Sequence, residues 1–185
     1  RAAGLATAAA LREVRKAIRP GVSTLELDAI AEATIKSHGG HSNFQLVPGY
    51  HHTICSSVND EVVHGIPTQA RVLHAGDIVS IDCGAEIGEW NGDSAMTVIV
   101  PNSTDDIADP DLVARRQHLS DVTEQSLWVG IAALAEAEYL NEVGIAIEEY
   151  IYSQKNHLGK DFGILEDYVG HGIGRSMHED PPVFN

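Results

Sequence analysis

The chain has 185 residues and carries 12 Lys/Arg against 27 Asp/Glu, a formal charge of −15. That balance argues against a nucleic-acid binder, because phosphate contacts need clustered basic side chains, and no apolar run approaches the ~18 residues of a membrane span. Hydrophobic residues at 43 % with 21 % charged exclude a disordered chain, and the length suits one domain or two small lobes sharing a core.

In chain order, Ala2 to Ile18 reads as a helix. Leu5, Leu11, Val14 and Ile18 recur at helical spacing among alanines, and Arg19-Pro20-Gly21 ends the run. Ser23-Thr24-Leu25-Glu26 has the capping-box pattern, Ser with Glu three residues on. It predicts a second helix from about Thr24 to His38, with Leu27, Ile30, Ala31 and Ile35 inward. Gly39-Gly40 closes it. Thr53 to Val58 reads as a strand followed by a turn at Asn59-Asp60. Asp77 to Cys83 alternates, with Ile78, Ser80 and Asp82 on one face and Val79, Ile81 and Cys83 on the other. Met96 to Val100 is a further strand. An acidic loop over 105–111 leads into a helix from about Pro110 to Glu136, with Leu119, Val122, Leu127, Ile131 and Leu134 expected inward. Another helix spans about Asn141 to Gln154, and a glycine-rich segment, Gly170-His171-Gly172-Ile173-Gly174, follows.

The two halves are faintly alike: each has a helix pair, then a strand-rich part with a His-Gly-Ile triplet, at His64-Gly65-Ile66 and His171-Gly172-Ile173. Helix pairs alternating with antiparallel strands predict an α+β fold. Cys55 and Cys83 are too few and too far apart for a disulfide framework or a Cys-based zinc site. Two reduced, buried thiols are expected, as suits a cytoplasmic protein. The start, Arg1-Ala2-Ala3-Gly4, has no signal-peptide pattern. It is not Met, and the end at Pro182-Val183-Phe184-Asn185 has no obvious terminator, so a piece of a longer chain is expected.

The chemistry-bearing residues are sparse. On one straight strand Asp82 and Asp93 would lie ~36 Å apart. A two-residue loop at Ile87-Gly88 would instead make them direct cross-strand partners, with Cβ atoms ~4.5–5.5 Å apart. Two carboxylates so close repel unless a proton or cation lies between them, and a dimetal hydrolytic site uses such a pair. Read alone, the spacing also allows two solvated loop aspartates. Around His171, glycines leave room for a ligand or ion, though a solvated turn histidine fits the same pattern. His178 follows in Met177-His178-Glu179. His64 sits in an apolar run, Val62 to Pro67, that places it beside the core. A neutral imidazole there can act as a base or as a donor to a carbonyl. His38, His41, His51 and His52 read as solvated loop residues, and Glu86 and Glu89 as solvating the hairpin tip. Phosphate-loop and nucleophile-elbow motifs are absent.

Taken together, four strings resemble type I methionine aminopeptidases. They are Ile54-Cys55-Ser56-Ser57-Val58-Asn59-Asp60-Glu61-Val62-Val63-His64-Gly65-Ile66-Pro67, then Gly76-Asp77-Ile78-Val79-Ser80-Ile81-Asp82, then Gly92-Asp93, then Gly170-His171-Gly172-Ile173-Gly174-Arg175 with His178-Glu179. Their order and separations fit too, so the resemblance covers nearly the whole chain. It implies a pita-bread fold of two pseudo-symmetric halves, here a single metallopeptidase catalytic domain over 1–185 lacking the family's C-terminal part. It implies removal of the initiator methionine from nascent polypeptides with a small second residue, by hydrolysis assisted by two divalent metal ions (Co, Mn, Fe or Zn). Position by position, Asp82, Asp93 and His171 match metal ligands. His178 matches the histidine on the scissile carbonyl, and His64 the one that places the peptide. Tyr50, Cys55, Val47 and Met177 fall at the substrate pocket, where Val47 and Met177 stand in place of usual aromatics. Asn91 replaces a frequent histidine before Gly92-Asp93, a change read as harmless. Two further glutamate ligands fall beyond Asn185, so this exact chain is expected to bind metal weakly and to be inactive, with the complete protein active. A cytoplasmic monomer with at most transient ribosome contact and no membrane or nucleic-acid partner is expected. The alternatives are an Xaa-Pro dipeptidase or aminopeptidase of the same fold, and a non-catalytic binding module.

Overall fold

The structure, a computed structural model, describes residues 1–165 and 168–184. Their elements run α1 (Ala2–Ala17), α2 (Thr24–Ser37), a 3-10 turn (Phe44–Leu46), β1 (Ile54–Val58), β2 (Ile78–Ile87), β3 (Trp90–Ile99), α3 (Pro110–Glu136), α4 (Asn141–Ser153), β4 (Gly170–Gly172) and β5 (Glu179–Val183). The chain divides into two compact units. The first comprises Arg1–Val113 with Ile173–Met177, the second Ala114–Gly172 with His178–Asn185.

In the first unit, β1, β2 and β3 form an antiparallel sheet in that order, with α1 and α2 packed against it. Alternation along β2 builds the core. Val79, Ile81, Cys83 and Ala85 are fully buried and join Ala6, Ala10, Val14, Leu27, Ala31 and Ile35 of the helices in one apolar cluster. The small residues of α1 let it lie close on the strands. Leu5 is 54 % exposed, while Ala3, Ala6 and Ala10 are buried. The capping box at the start of α2 is present: the Ser23 side chain accepts from Glu26 N, and the Glu26 carboxylate accepts from Ser23 N at 2.8 Å. The Ser23 N bond, with a second from Ser23 Oγ to the same carboxylate at 2.7 Å, holds the Glu26 carboxyl below its ordinary pKa.

The β2–β3 hairpin differs from the sequence expectation in register. Ile87 pairs with Trp90, so the turn is Gly88-Glu89 rather than Ile87-Gly88. Asp82 therefore faces Ala95, and Asp93 faces Gly84. The slip is two residues, an even number, so no side chain changes face. The strands are also longer than the alternation suggested: β2 runs on to Ile87, and β3 begins at Trp90 instead of Met96. Glu86 consequently lies within the sheet, exchanging backbone hydrogen bonds with His41 at 3.1 and 2.8 Å. Glu89, at the turn, is exposed as expected.

The second unit holds most of α3, α4 and the antiparallel pair β4–β5. Both helices have nearly the predicted bounds. Their burial does not follow the prediction: Leu119, Leu127, Ile131 and Leu134 are 44–58 % exposed, and of the expected inward set only Val122 is buried. Small residues make the helix contact instead. A Cβ on Gly130 of α3 would stand 2.7 Å from Ile147 Cδ1 of α4.

Candidate metal and peptide site

Asp82 and Asp93 reach one face of the hairpin for two local reasons. Along β2 the helix-facing positions are odd-numbered and apolar, which leaves Asp82 on the opposite face. Along β3 the residue before Asp93 must be small: a Cβ at Gly92 would meet Gly4 N of α1 at 2.6 Å. The α1 hydroxyl of Thr7 also donates to Gly92 O at 3.3 Å. With Gly92 held under α1, alternation turns Asp93 away from the helices. Asp82 opposes Ala95, two residues beyond Asp93. Asp82 and Asp93 are thus diagonal neighbours on one face, their Cα positions ~7–8 Å apart by sheet geometry, instead of direct partners. That spacing leaves more room between them than the predicted pairing. Asp82 is half-buried and Asp93 exposed.

Their charge is felt locally. Burial pushes the Cys83 thiol up to about 12, and the nearby charges of Asp82, Asp93 and Asp28 add to the rise. Burial likewise raises the Cys55 thiol, with the same three carboxylates contributing and a Tyr50 hydrogen bond opposing. Both thiols are free and buried, as expected. Two carboxylates on one sheet face with concentrated negative potential make a hard oxygen donor set, which fits a divalent cation. Among the described residues, no group of three or more His, Cys, Asp or Glu forms a ready-made cation cage.

Tyr50 leads into β1. Its hydroxyl donates to Ile54 O at 2.6 Å and lies 3.4 Å from Cys55 Sγ. Burial is the main reason its own pKa is raised. The segment is tied to α2 by Asp28, which accepts from Thr53 N at 2.7 Å and Ile54 N at 2.9 Å. Asp28 also meets His52 Nδ1 at 3.2 Å. His52 is therefore half-buried and paired, not solvated. Val47 is 45 % exposed, just after the 3-10 turn.

His64 has φ +59 and is exposed, not beside the core. Only Gly65 and Pro67 of its apolar run are buried, while Val62, Val63 and Ile66 face outward. The run docks through backbone: Gly65 N donates to Ser57 Oγ at 3.0 Å, and Gly65 O accepts from Ser56 N at 2.8 Å. In the second unit, His171 lies on β4, and its Nδ1 is 2.9 Å from Gly172 O. His178 precedes β5. The two rings stand 4.4 Å apart between centroids, so the unit brings together two of the three histidines that the sequence singled out. Met177 is half-buried at the end of the intervening segment.

That segment, Ile173–Met177, belongs to the first unit. Asn91 holds it there: its backbone N donates to Gly174 O at 2.8 Å, and its side-chain Nδ2 to Gly174 O at 3.3 Å and Arg175 O at 3.1 Å. Asn43 Nδ2 in turn donates to Asn91 Oδ1 at 3.0 Å. Sequence reasoning read Asn91 only as a harmless replacement for a frequent histidine and passed over Asn43. A carboxamide with a donor and an acceptor end, directly before a strand glycine, was the available signal.

Comparison with known proteins places this geometry in a class. The model of metallopeptidase family M24 matches residues 1–185. The chain belongs to metallopeptidase family M24, and its fold is the α+β pita-bread fold of those peptidases. Within that family its similarity is to methionine aminopeptidases. It is 47 % identical to methionine aminopeptidase 1 of Mycobacterium tuberculosis (strain CDC 1551 / Oshkosh) over 97 % of this chain and 64 % of that protein. The crystal structure of methionine aminopeptidase from Thermotoga maritima aligns with TM-score 0.83 at 37 % identity, covering 100 % of this chain and 68 % of that one. An Xaa-Pro dipeptidase from Bacillus anthracis, 22 % identical with TM-score 0.71 over 98 % of this chain and 46 % of its own, shares the fold alone. The chain thus spans about two thirds of the length of its methionine aminopeptidase relatives. Among the described residues, no helix is long and apolar enough to cross a membrane.

Proposed function

We propose that this chain is the metal-binding and substrate-facing part of a methionine aminopeptidase. It would release the initiator methionine from peptides and nascent proteins whose second residue is small. The observation that carries this reading is the placing of Asp82 and Asp93 on one hairpin face, in a chain whose similarity to methionine aminopeptidases runs over nearly its full length.

Asp82, Asp93 and His171 are the residues that would hold the metals, expected to be two divalent ions such as Mn, Co, Fe or Zn. Bound there, divalent metal lowers the pKa of water and polarises the peptide carbonyl. The chain's own histidines and pocket residues would orient the peptide. His178 donates a hydrogen bond to the scissile carbonyl and so fixes its direction. His64, on a loop pinned to β1 through Gly65, places the peptide backbone. Tyr50, Cys55, Val47 and Met177 line the pocket for the first side chain. A Cys55 thiol held protonated by burial adds no charge to that pocket, which suits an apolar thioether. Asp28 fixes the backbone on which Tyr50 and Cys55 sit.

The substrate partner is the N-terminus of a new polypeptide, and a monomeric cytoplasmic enzyme in passing contact with the ribosome fits that task. The test is peptide cleavage by the full-length protein with added Mn²⁺. Release of methionine from Met-Ala-Ser with Ala-Pro peptides left intact is the expected result. Cleavage of Ala-Pro instead would assign the chain to the Xaa-Pro branch, and cleavage of neither would favour a non-catalytic binding module.

A further inference from the structure

Asn91 sits on β3 two residues before Asp93, and its side chain uses both ends. The oxygen accepts from Asn43 Nδ2 at 3.0 Å, and the nitrogen bridges Gly174 O at 3.3 Å and Arg175 O at 3.1 Å. Asn43 is fully buried and cannot turn away: a Cβ on Gly84 would meet Asn43 Oδ1 at 2.0 Å, so only a glycine on β2 admits the Asn43 amide. Among the described residues Asn43 Oδ1 finds no hydrogen-bond partner, so the bond to Asn91 is the one that fixes this amide's orientation. The Asn43–Asn91 pair therefore presents a pre-set donor to two consecutive carbonyls. Those carbonyls belong to Ile173–Met177, a strap whose flanking chain holds His171 on one side and His178 on the other. Arg175 adds weaker ties to the same hairpin end, 3.8 Å from Glu89 and 5.5 Å from the Trp90 ring centre.

We infer that Asn91 is a positioning residue: it fastens the strap between the two histidines to the hairpin that carries the two aspartates, and so sets metal affinity without touching metal or substrate. This rests on the proposed roles of Asp82, Asp93, His171 and His178. The chemistry required is specific. Position 91 must accept from one amide and donate to backbone carbonyls. Asparagine does both; aspartate keeps the acceptor and loses the donor; alanine loses both. Histidine has one nitrogen of each kind, so it satisfies the position in part.

The test uses the full-length protein with Asn91→Asp, Asn91→Ala and Asn91→His. Two quantities are read: amide exchange of the peptide spanning 171–178 against that of β2, and Mn²⁺ affinity by calorimetry. Asn91→Asp and Asn91→Ala should speed exchange of the strap several-fold with β2 unchanged, and weaken Mn²⁺ binding roughly 10-fold, the scale for a residue one shell removed from the metal. Asn91→His should stay within about 3-fold of the parent in Mn²⁺ affinity, between the parent and Asn91→Ala. Unchanged strap exchange would overturn the inference, as would equal acceleration throughout the hairpin or unaltered Mn²⁺ affinity. A parent protein that binds no Mn²⁺ would sink the proposed function and the metal half of this inference together. The exchange comparison would still decide the fastening.

Discussion

The two units treat similar helices differently. In the first, α1 and α2 lie on a sheet, and the buried apolar cluster is built from them, the strands, their connections and Val100 just past β3. In the second, α3 carries Leu119, Leu127, Ile131 and Leu134 at helical spacing, yet each is 44 % exposed or more. Periodicity marks a face that could be buried. Whether it is buried depends on a surface elsewhere in the molecule. The first unit has that surface, because Val79, Ile81, Cys83 and Ala85 alternate along one strand. The site residues divide along the same line. Asp82 and Asp93 stand on a sheet whose other face is the core, whereas His171 stands on a short, largely exposed strand pair and His178 immediately before its second strand.

The largest expected effect tests the sheet side. Asp82→Asn or Asp93→Asn in the full-length protein should cut methionine release by at least ~100-fold, more than loss of an outer-shell partner would. Circular dichroism should stay unchanged. Retained activity would remove these carboxylates from the site. The core contrast comes next. Ile81→Ala should lower unfolding free energy by about 2–5 kcal/mol, as for a buried large-to-small change, whereas Ile131→Ala, at 48 % exposure, should cost under ~1 kcal/mol in the same denaturant titration. Equal losses would mean that α3 is covered in the folded protein.

The buried thiol gives a pH-dependent version of the contrast. The Cys83 pKa is raised to about 12 from the usual 9. Above pH 9 the unfolded chain gives up this proton while the folded one keeps it. The thiol's contribution is therefore complete below about pH 9 and lost as pH rises toward 12. Stability should fall across that window, with a slope of at most ~1.4 kcal/mol per pH unit for one group. Cys83→Ala should flatten the fall; an unchanged slope in that variant would place the sensitivity elsewhere. The smallest effect is at the cap of α2: Ser23→Ala should cost about 1 kcal/mol in the same titration.

Much of the first unit was legible because its signals are local. The capping box, the alternation of β2 and the helix bounds are read from neighbouring residues, and all are present in the structure. The hairpin register was not legible, since a one-step change in the turn moves every partner by two. Parity rescued the functional reading, and Asp82 and Asp93 still share a face. The exposure of α3 and of His64 depends on what lies opposite, which no window of sequence contains. The same holds for the His52–Asp28 pair, 24 residues apart, and for Asn91, whose partners are 48 to 84 residues away.

The central proposal is that the hairpin face bearing Asp82 and Asp93 binds the metal that methionine release by the full-length protein requires. Mn²⁺ titration of the full-length protein, monitored by both calorimetry and methionine release from Met-Ala-Ser, tests it directly. Binding and release that rise together, and vanish together in Asp93→Asn, are the predicted result. Methionine release that persists in Asp93→Asn, or Mn²⁺ binding with no release, would contradict it.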